Sequence, residues 1–397
     1  MNEIKFCEVC GNEDLHTVLD LGDHPLCDDL VPFNDVRVCK EYPIEILFCN
    51  QCLTAHQRFQ VPKHQLFTTD YHYRARMTGS VLKGMSDLVN SCEQKFGSLS
   101  GKLVLDIGSN DGSLLGFFKE RGCKTIGVEP TGAANDSSHT TINAFFDAEA
   151  AAKVLELVGK PDIITFTNVF AHIEDLPSLL DNLRTLISEK TIIVIENHYV
   201  GAVLDYGQFD TFYHEHPRTY SFNSFRYIAK SLGLNLIDCE FVSRYGGNIR
   251  AYIGGSEAID FLSVNESRFM ERFGAMNLSI LDWRRKTRNT IFDLIEKHGK
   301  LRAKAFPGRA AILVKLLGLD ERHISAVYEI KGSIKVGHYV PGTRIPILPE
   351  KELYLEPDQN APILNLAWHL PAEVRENLKK NNYLGDVIDI KRFEIEK

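Results

Sequence analysis

A chain of 397 residues is longer than one ordinary domain, so two or three are expected. Its 44% hydrophobic and 25% charged residues are those of a globular protein, and a net charge of −8 weighs against a general binder of nucleic acid or of acidic membrane surfaces. No run approaches the ~20 apolar residues that span a bilayer, and the opening MNEIKFCEVC lacks the basic and apolar regions of a signal peptide, so a cytoplasmic protein with reduced thiols is expected.

The first elements are two cysteine knuckles. FCEVCGN supplies Cys7 and Cys10, and LFCNQC supplies Cys49 and Cys52. In a reducing compartment this repeated CxxC reads as a four-thiolate zinc site, because each knuckle lets two sulfurs converge on one ion. Four protein ligands fill a tetrahedron, so the metal is expected to hold structure and not to do chemistry. The intervening LDLGDHPLCDDLVPF reads as turns and short strands. Cys27, Cys39, Cys92, Cys123 and Cys239 stand in no such pattern and read as small buried hydrophobes.

Next comes GKLVLDIGSNDGSLLGFFKERGCKTIGVEP. An apolar strand over 103–107 runs into a glycine turn, a helix closed by Gly122 and a second strand tipped by Glu129. This is half of a doubly wound sheet. The glycines let a ligand approach the backbone, and a carboxylate at the second strand's tip suits a ribose diol. The spacing is neither the dinucleotide GxGxxG nor the phosphate loop GxxxxGK[ST]. It resembles the acid-x-Gly-x-x-x-Gly turn of class I methyltransferases that use S-adenosylmethionine (SAM). That resemblance implies that Asp106, Gly108, Ser109, Asn110 and Gly112 line the methionine end of SAM, with Glu129 and Pro130 at the ribose. GAANDSSHTTINA reads as a polar, mobile stretch near the cofactor. Phe146, in NAFFDAEAA, falls where adenine contacts usually lie, although a place in the core fits it nearly as well. The strand in DIITFTNVFAHI ends at Asn168 and His172, on the same crevice, and TIIVIENHY brings Glu196 and His198 to the next strand's end.

TFYHEHPRTYS then gathers two histidines, a glutamate and two tyrosines into one short segment. A cluster of that kind suits proton transfer near neutral pH. Beyond it the chain reads as mostly helical over 260–298, and from about Lys300 strands and helices alternate again as in a second nucleotide-binding-type sheet.

The paired CxxC, LDLGDHPL, DYHYR, LDIGSNDG, FAHI, YHEH, YGGNIR, VPGTRIPI and ILNLAWH together resemble the SAM-dependent sugar C-methyltransferases of deoxysugar pathways, over nearly the full length. The resemblance implies an α/β fold in which a central class I, Rossmann-like SAM domain lies between a zinc-binding N-terminal domain and a C-terminal α/β domain. Their expected bounds are 1–65, 66–260 with a lead-in helix over 66–100, and 261–397 with a helical connector over 261–299. It implies SAM and structural zinc as cofactors and a nucleotide-linked ketosugar as acceptor, with neither nucleic acid nor membrane as partner. In such enzymes a base removes a proton beside the sugar ketone, and the enolate attacks the SAM methyl. By position His216 matches the base, Tyr213 and Glu215 its partners, His172 a second active-site histidine and Tyr71 a tyrosine that reaches in from the N-terminal side. O- or N-methylation of a phosphorylated small molecule, or a non-catalytic scaffold, are the alternatives.

The chain departs from that family on the acceptor side. Arg309 stands where lysine is usual, Glu329 for aspartate, Arg344 for histidine, His369 for asparagine and Tyr245 for histidine. Arginine at 309 and 344 still suits a phosphate or carboxylate, so an unusual acceptor is expected.

Overall fold

The computed structural model of the chain describes residues 1–67, 74–255 and 264–392. The knuckles flank an antiparallel sheet of β1 (Leu15–Pro25), β2 (Glu41–Cys49) and β3 (Thr54–Gln57). β1 is one long strand where turns and short strands were expected. Register shifts between Thr17 and Leu19 and between Asp20 and Gly22 interrupt its alternation without ending the pairing.

After α1 (Gly79–Phe96) the central sheet is laid down. Its opening unit is β4 (Leu103–Ile107), α2 (Ser113–Glu120), β5 (Lys124–Val128) and β6 (Thr140–Ile142). α3 (Ala148–Val158), β7 (Ile163–Thr167), α4 (Leu176–Leu186), β8 (Ile192–His198) and α5 (Val200–Asp205) follow. Every residue of β4 is buried, as an apolar run covered on both faces requires. Asp147 and Asp175 start α3 and α4 by accepting from the amides of Ala150 and Ser178. The expected mobile stretch is instead a 3₁₀ turn over Gly132–Asp136 leading into β6, which pairs in parallel with β5. Its polar composition fits an edge strand that needs only one covered side.

The chain then leaves this sheet. β9 (Arg218–Thr219) pairs antiparallel with β3, setting Arg218 opposite His56, so the segment after YHEH is an edge of the first sheet. α6 (Phe222–Ser231), β10 (Asn235–Val242) and β11 (Asn248–Gly254) return to finish the central one. Its order is β10-β11-β8-β7-β4-β5-β6, parallel from β8 to β6 and antiparallel at β10 and β11. The winding reverses between β4 and β7, and a crevice for ligands opens at the carboxyl ends of strands on either side of such a switch point.

α7 (Phe269–His298) carries a buried stripe of Phe269, Phe273, Met276, Ile280 and Trp283 at helical spacing. Phe273 packs on Phe48 of β2, Trp283 on Phe209, and the Trp283 indole donates to the Ile390 carbonyl, so this helix touches all three regions. The last sheet comprises β12 (Leu301–Lys304), β13 (Ile324–Glu329), β14 (Ile347–Pro349), β15 (Ile363–Asn365) and β16 (Val387–Asp389), with α8 (Ala310–Leu317) and α9 (Pro371–Lys380). It is wholly parallel, in the order β14-β13-β12-β15-β16. His338–Tyr339 pairs with Val31–Pro32, joining this part to the first. Among the described residues no helix is long and apolar enough to cross a membrane.

Candidate active site

The sulfurs of Cys7, Cys10, Cys49 and Cys52 all lie within 4.8 Å of one another, with Cys7 to Cys52 at 3.3 Å and Cys10 to Cys49 at 3.6 Å. Zinc–sulfur bonds of about 2.3 Å in a tetrahedron place ligand sulfurs about 3.8 Å apart, so the four thiolates fit a zinc ion. Around them Asn12 donates to the Cys49 sulfur at 3.5 Å, and the Thr54 hydroxyl lies 3.0 Å from that of Cys52.

At the switch point the loop after β4 curls through left-handed backbone at Gly108 (φ 71°), Asn110 (φ 49°) and Gly112 (φ 77°). Asp106, at the strand's end, is 3% exposed and accepts from the Thr165 hydroxyl at 2.6 Å. Burial, reinforced by the Glu129 charge and opposed by Thr165, pushes its carboxyl up to about 7. Glu129 accepts from the Asn110 amide and from the amide and hydroxyl of Thr131. That fills three of a carboxylate's roughly four acceptor sites, so a grip on both ribose hydroxyls needs the Thr131 rotor to turn away. The Asn110 carboxamide accepts from the Ala75 amide, and Asp111 from that of Arg76, which latches the segment before α1 onto the loop. Tyr71 lies outside the described residues.

Ser109 sits in this loop but turns inward. Its hydroxyl packs on Gly127, where a Cβ would come within 2.4 Å of it, and it has no hydrogen-bond partner among the described residues. Its side chain therefore packs the loop onto β5 and leaves the backbone of Ser109 to face a ligand. Pro130 is partly exposed beside Glu129, and Phe146 is a partly buried ring against the main core. Asn168 has left-handed backbone (φ 54°), and its side-chain oxygen accepts from Asn248.

YHEH is itself a tight turn. The His216 amide donates to the Tyr213 carbonyl at 2.9 Å, so Tyr213 and His216 become the two legs of the turn and their rings stand 4.2 Å apart. The corner residue His214 points away, with Nε2 3.0 Å from the Tyr42 carbonyl of the first sheet. His172, after β7, and His198, at the end of β8, bring their rings to 5.0 and 5.4 Å from that of His216. Phe67 stacks on the outer face of His172 at 5.2 Å. Three imidazoles thus meet beyond the carboxyl ends of β7 and β8, in the sheet whose β4 carries the glycine loop. Glu196 does not join them: it is fully buried and neutralised by Arg250 at 2.8 Å and Arg244 at 3.1 Å.

His216 Nδ1 lies 2.9 Å from the Thr211 carbonyl, which can only accept, so Nδ1 carries the proton and the lone pair is on Nε2. Burial, opposed by that bond and aided by the Arg309 charge, brings its pKa down to about 4. Burial and the His216 charge push His172 and His198 well below their ordinary value. Burial, the Glu215 carboxyl and other neighbouring acids push Tyr213 well up. Burial and the Asp28 charge do the same to Glu215, against the pull of Lys335. The cluster therefore holds neutral acceptors on its histidines and a protonated donor on Tyr213.

Neither arginine is poised for a phosphate. Arg309 makes a two-point pair with Asp210 (Nε to Oδ2 and Nη2 to Oδ1, both 2.7 Å), and Arg344 donates to the carbonyls of Asp35 and Arg37 at 2.9 Å. Glu329 accepts from the Phe306 amide at the start of its own loop. Sequence reasoning missed Asp210, Thr211 and Trp368, whose indole donates to Asp210 at 2.8 Å. The available signal was an aspartate inside an aromatic run, QFDTFY, which must find a cation if buried.

The fold and the site define a class I methyltransferase carrying a separate structural zinc centre. Comparison with known proteins gives the same class. Residues 7–67 match a family model described as "Putative zinc binding domain", 73–238 one described as "Methyltransferase domain" and 246–386 one described as "C-methyltransferase C-terminal domain". The C-methyltransferase NovU of Streptomyces niveus is 28% identical over 391 residues, 94% of this chain and 92% of that protein. Among solved structures, magnesium protoporphyrin IX methyltransferase of Synechocystis PCC 6803 is 17% identical over 45% of this chain and 84% of its own, with a TM-score of 0.35. A SAM-dependent methyltransferase of Archaeoglobus fulgidus is 19% identical over 48% and 87%, with a TM-score of 0.32. The chain is a SAM-dependent methyltransferase with a zinc-binding N-terminal domain.

Proposed function

We propose that the chain methylates the carbon beside the ketone of a nucleotide-linked sugar, with His216 as the base. The observation that carries this reading is the His216–Thr211 hydrogen bond, which leaves Nε2 with no hydrogen-bond partner among the described residues, beside the rings of His172, His198 and Tyr213. Under this reading residues 1–65 hold the zinc, 66–260 the cofactor and 261–397 the acceptor.

SAM, when bound, supplies a methyl group made electrophilic by the sulfonium charge, held through Asp106, the Gly108–Gly112 loop and Glu129. Nε2 of His216 takes the proton from the carbon beside the ketone, and the electron pair left there is the nucleophile that carbon alkylation requires. Charge moves onto the ketone oxygen, where the Tyr213 hydroxyl donates, and that phenol's raised pKa keeps it protonated for the task. Glu215, on the same turn, is its partner, with a carboxyl that burial and the Asp28 charge push up. Because His172 and His198 stay neutral, they add no positive charge beside the imidazolium that forms. A positioned base of this kind contributes about 10²–10⁴ in rate.

The parallel sheet over 301–389 and the resemblance to sugar C-methyltransferases support a nucleotide-linked acceptor. With Arg309 and Arg344 engaged, Lys335, which donates to the Phe306 carbonyl at 2.9 Å and lies 3.9 Å from Asp28, is a cation on this side with a further N–H to offer a phosphate. The test is mass spectrometry against a panel of ketosugar nucleotides, repeated with deuterium beside the ketone. Loss of the label with a methyl gained on carbon is expected. Label retained with the methyl on oxygen would overturn the enolate route.

A further inference from the structure

The partner of His216 is the Thr211 carbonyl, and the residue before Thr211 is held by the C-terminal part of the chain. Asp210 is fully buried; both of its oxygens are engaged by Arg309, and Oδ2 also accepts from the Trp368 indole. The Arg309 guanidinium lies 5.3 Å from the centre of the Trp368 ring. An unbroken line therefore runs from Arg309 and Trp368 through the Asp210 carboxylate and the Thr211 carbonyl to Nδ1 of His216.

A buried carboxylate must be matched in charge and direction, and a bidentate pair with an added indole donor fixes the plane of the Asp210 side chain. Fixing Asp210 fixes the 3₁₀ turn Phe209–Thr211, and so the direction in which the Thr211 oxygen points. That oxygen also accepts from the Tyr213 amide at 3.0 Å, so one carbonyl sets both legs of the YHEH turn.

We propose that Arg309 and Trp368 are positioning residues for His216, acting through Asp210 and Thr211 to hold the imidazole in its Nδ1–H tautomer. The proposal rests on His216 as the base only for its consequence in turnover; the geometry can be read without it. The acceptor-side part of the chain thereby sets the state of the proton-abstracting group.

The test needs no acceptor. Ring-¹⁵N-labelled histidine in the full-length protein reports the tautomer and titration of each imidazole, and a His216→Gln variant identifies the signal. His216 is faced by Tyr213 from its own turn, by His172 and His198 from the ends of β7 and β8, and by Arg309 from the loop before α8; Glu215 and His214 lie on its own segment. Wild-type His216 is expected to be the neutral Nδ1–H form at pH 7.

Removing the Arg309 cation in Arg309→Met leaves Asp210 unbalanced and is expected to raise the His216 pKa by about one unit and mix the tautomers. Asp210→Asn leaves the cation unbalanced and is expected to lower the pKa, again with mixed tautomers. Opposite shifts separate an electrostatic link from general loosening. Trp368→Phe, which deletes one donor, and Arg309→Lys, which keeps the charge but not the fork, are milder. Each is expected to mix the tautomers with little change in titration, and they decide the matter if the harsher variants fail to fold. Folded variants that all leave the His216 signal as in the wild type would overturn the proposal. A failure of His216→Gln to abolish methyl transfer would count against the base assignment alone.

Discussion

Arg218 and Glu8, 210 residues apart in the chain, meet at 2.6 Å between Nη1 and Oε2. Glu8 lies inside the first cysteine knuckle and Arg218 two residues beyond His216. The same guanidinium donates to the Tyr220 hydroxyl at 3.0 Å and to the carbonyls of Ile173 and Glu174, just past His172. A second tie runs from Ser221 and Ser224, whose hydroxyls lie 3.2 and 3.3 Å from the Cys52 carbonyl. The zinc centre thus anchors both histidine-bearing segments.

Chelating the metal is therefore expected to loosen the 211–221 and 172–174 segments while β4 and β7 keep their protection. Hydrogen exchange read by mass spectrometry checks this. Unchanged protection in protein shown to be metal-free would refute the anchoring.

Arg218→Met leaves the partly buried Glu8 carboxylate with only the Gln60 amide and His56 beside it and is expected to cost about 1–3 kcal/mol of stability. Burial opposes the ionisation of Glu8, but the Arg218 and His56 charges and hydrogen bonds outweigh it and hold the carboxyl down to about 2. The folded pKa lies below the unfolded value of about 4.3. The pair's contribution is thus complete above about pH 4.3 and lost as pH falls toward 2. Arg218→Met should accordingly move the acid unfolding midpoint upward.

SAM affinity should depend on pH through Asp106. Without ligand its carboxyl is pushed up to about 7 by burial and by Glu129. A cationic ligand favours the ionised form, so affinity is full above about pH 7 and falls by up to about tenfold per unit below it. Calorimetry with the purified protein at about pH 6 and about pH 8 measures this, and Asp106→Asn is expected to bind weakly with a flat profile. An equally steep profile in that variant would place the titrating group elsewhere.

Gly108→Ala tests the cradle without touching a charge. Its Cβ would fall 2.5 Å from Val169 Cγ2, and its φ of 71° is one an alanine rarely adopts. Strain of about 1–2 kcal/mol is expected, with SAM affinity reduced at least tenfold. Adding Val169→Ala removes the two methyl contacts but leaves its Cβ 3.0 Å away and the backbone strain in place, so recovery should be partial. Full recovery would show that crowding alone set the cost.

The local parts of this architecture were legible because their signals are local. The β4 turn and α2 follow from apolar runs and glycines within one short window, and the zinc knuckles from spacing alone. The inward turn of the Ser109 side chain was not legible because a motif position says nothing of which way a side chain turns; the bare Cα of Gly127 decided that. Arg309 misled because the anion it meets, Asp210, belongs to another part of the chain, 99 residues away. β1 was hidden by its bulges, which break the two-residue period that marks a strand. What the sequence withholds are contacts set by how the three sheets meet.

His216 makes the last prediction. Its pKa of about 4 means that the proton-accepting form is already complete at pH 6, so the rate at saturating SAM should stay flat from about pH 6 to about pH 8. At limiting SAM the same reaction should weaken below about pH 7, because Asp106 then titrates. With an acceptor from the panel, His216→Gln should bind SAM as the wild type does yet lose about 10²-fold or more in turnover and in solvent exchange of the acceptor's C–H. A variant that still exchanged that hydrogen at the wild-type rate would move the base to another group, with His172 and His198, both within ring-contact distance, as the first to replace.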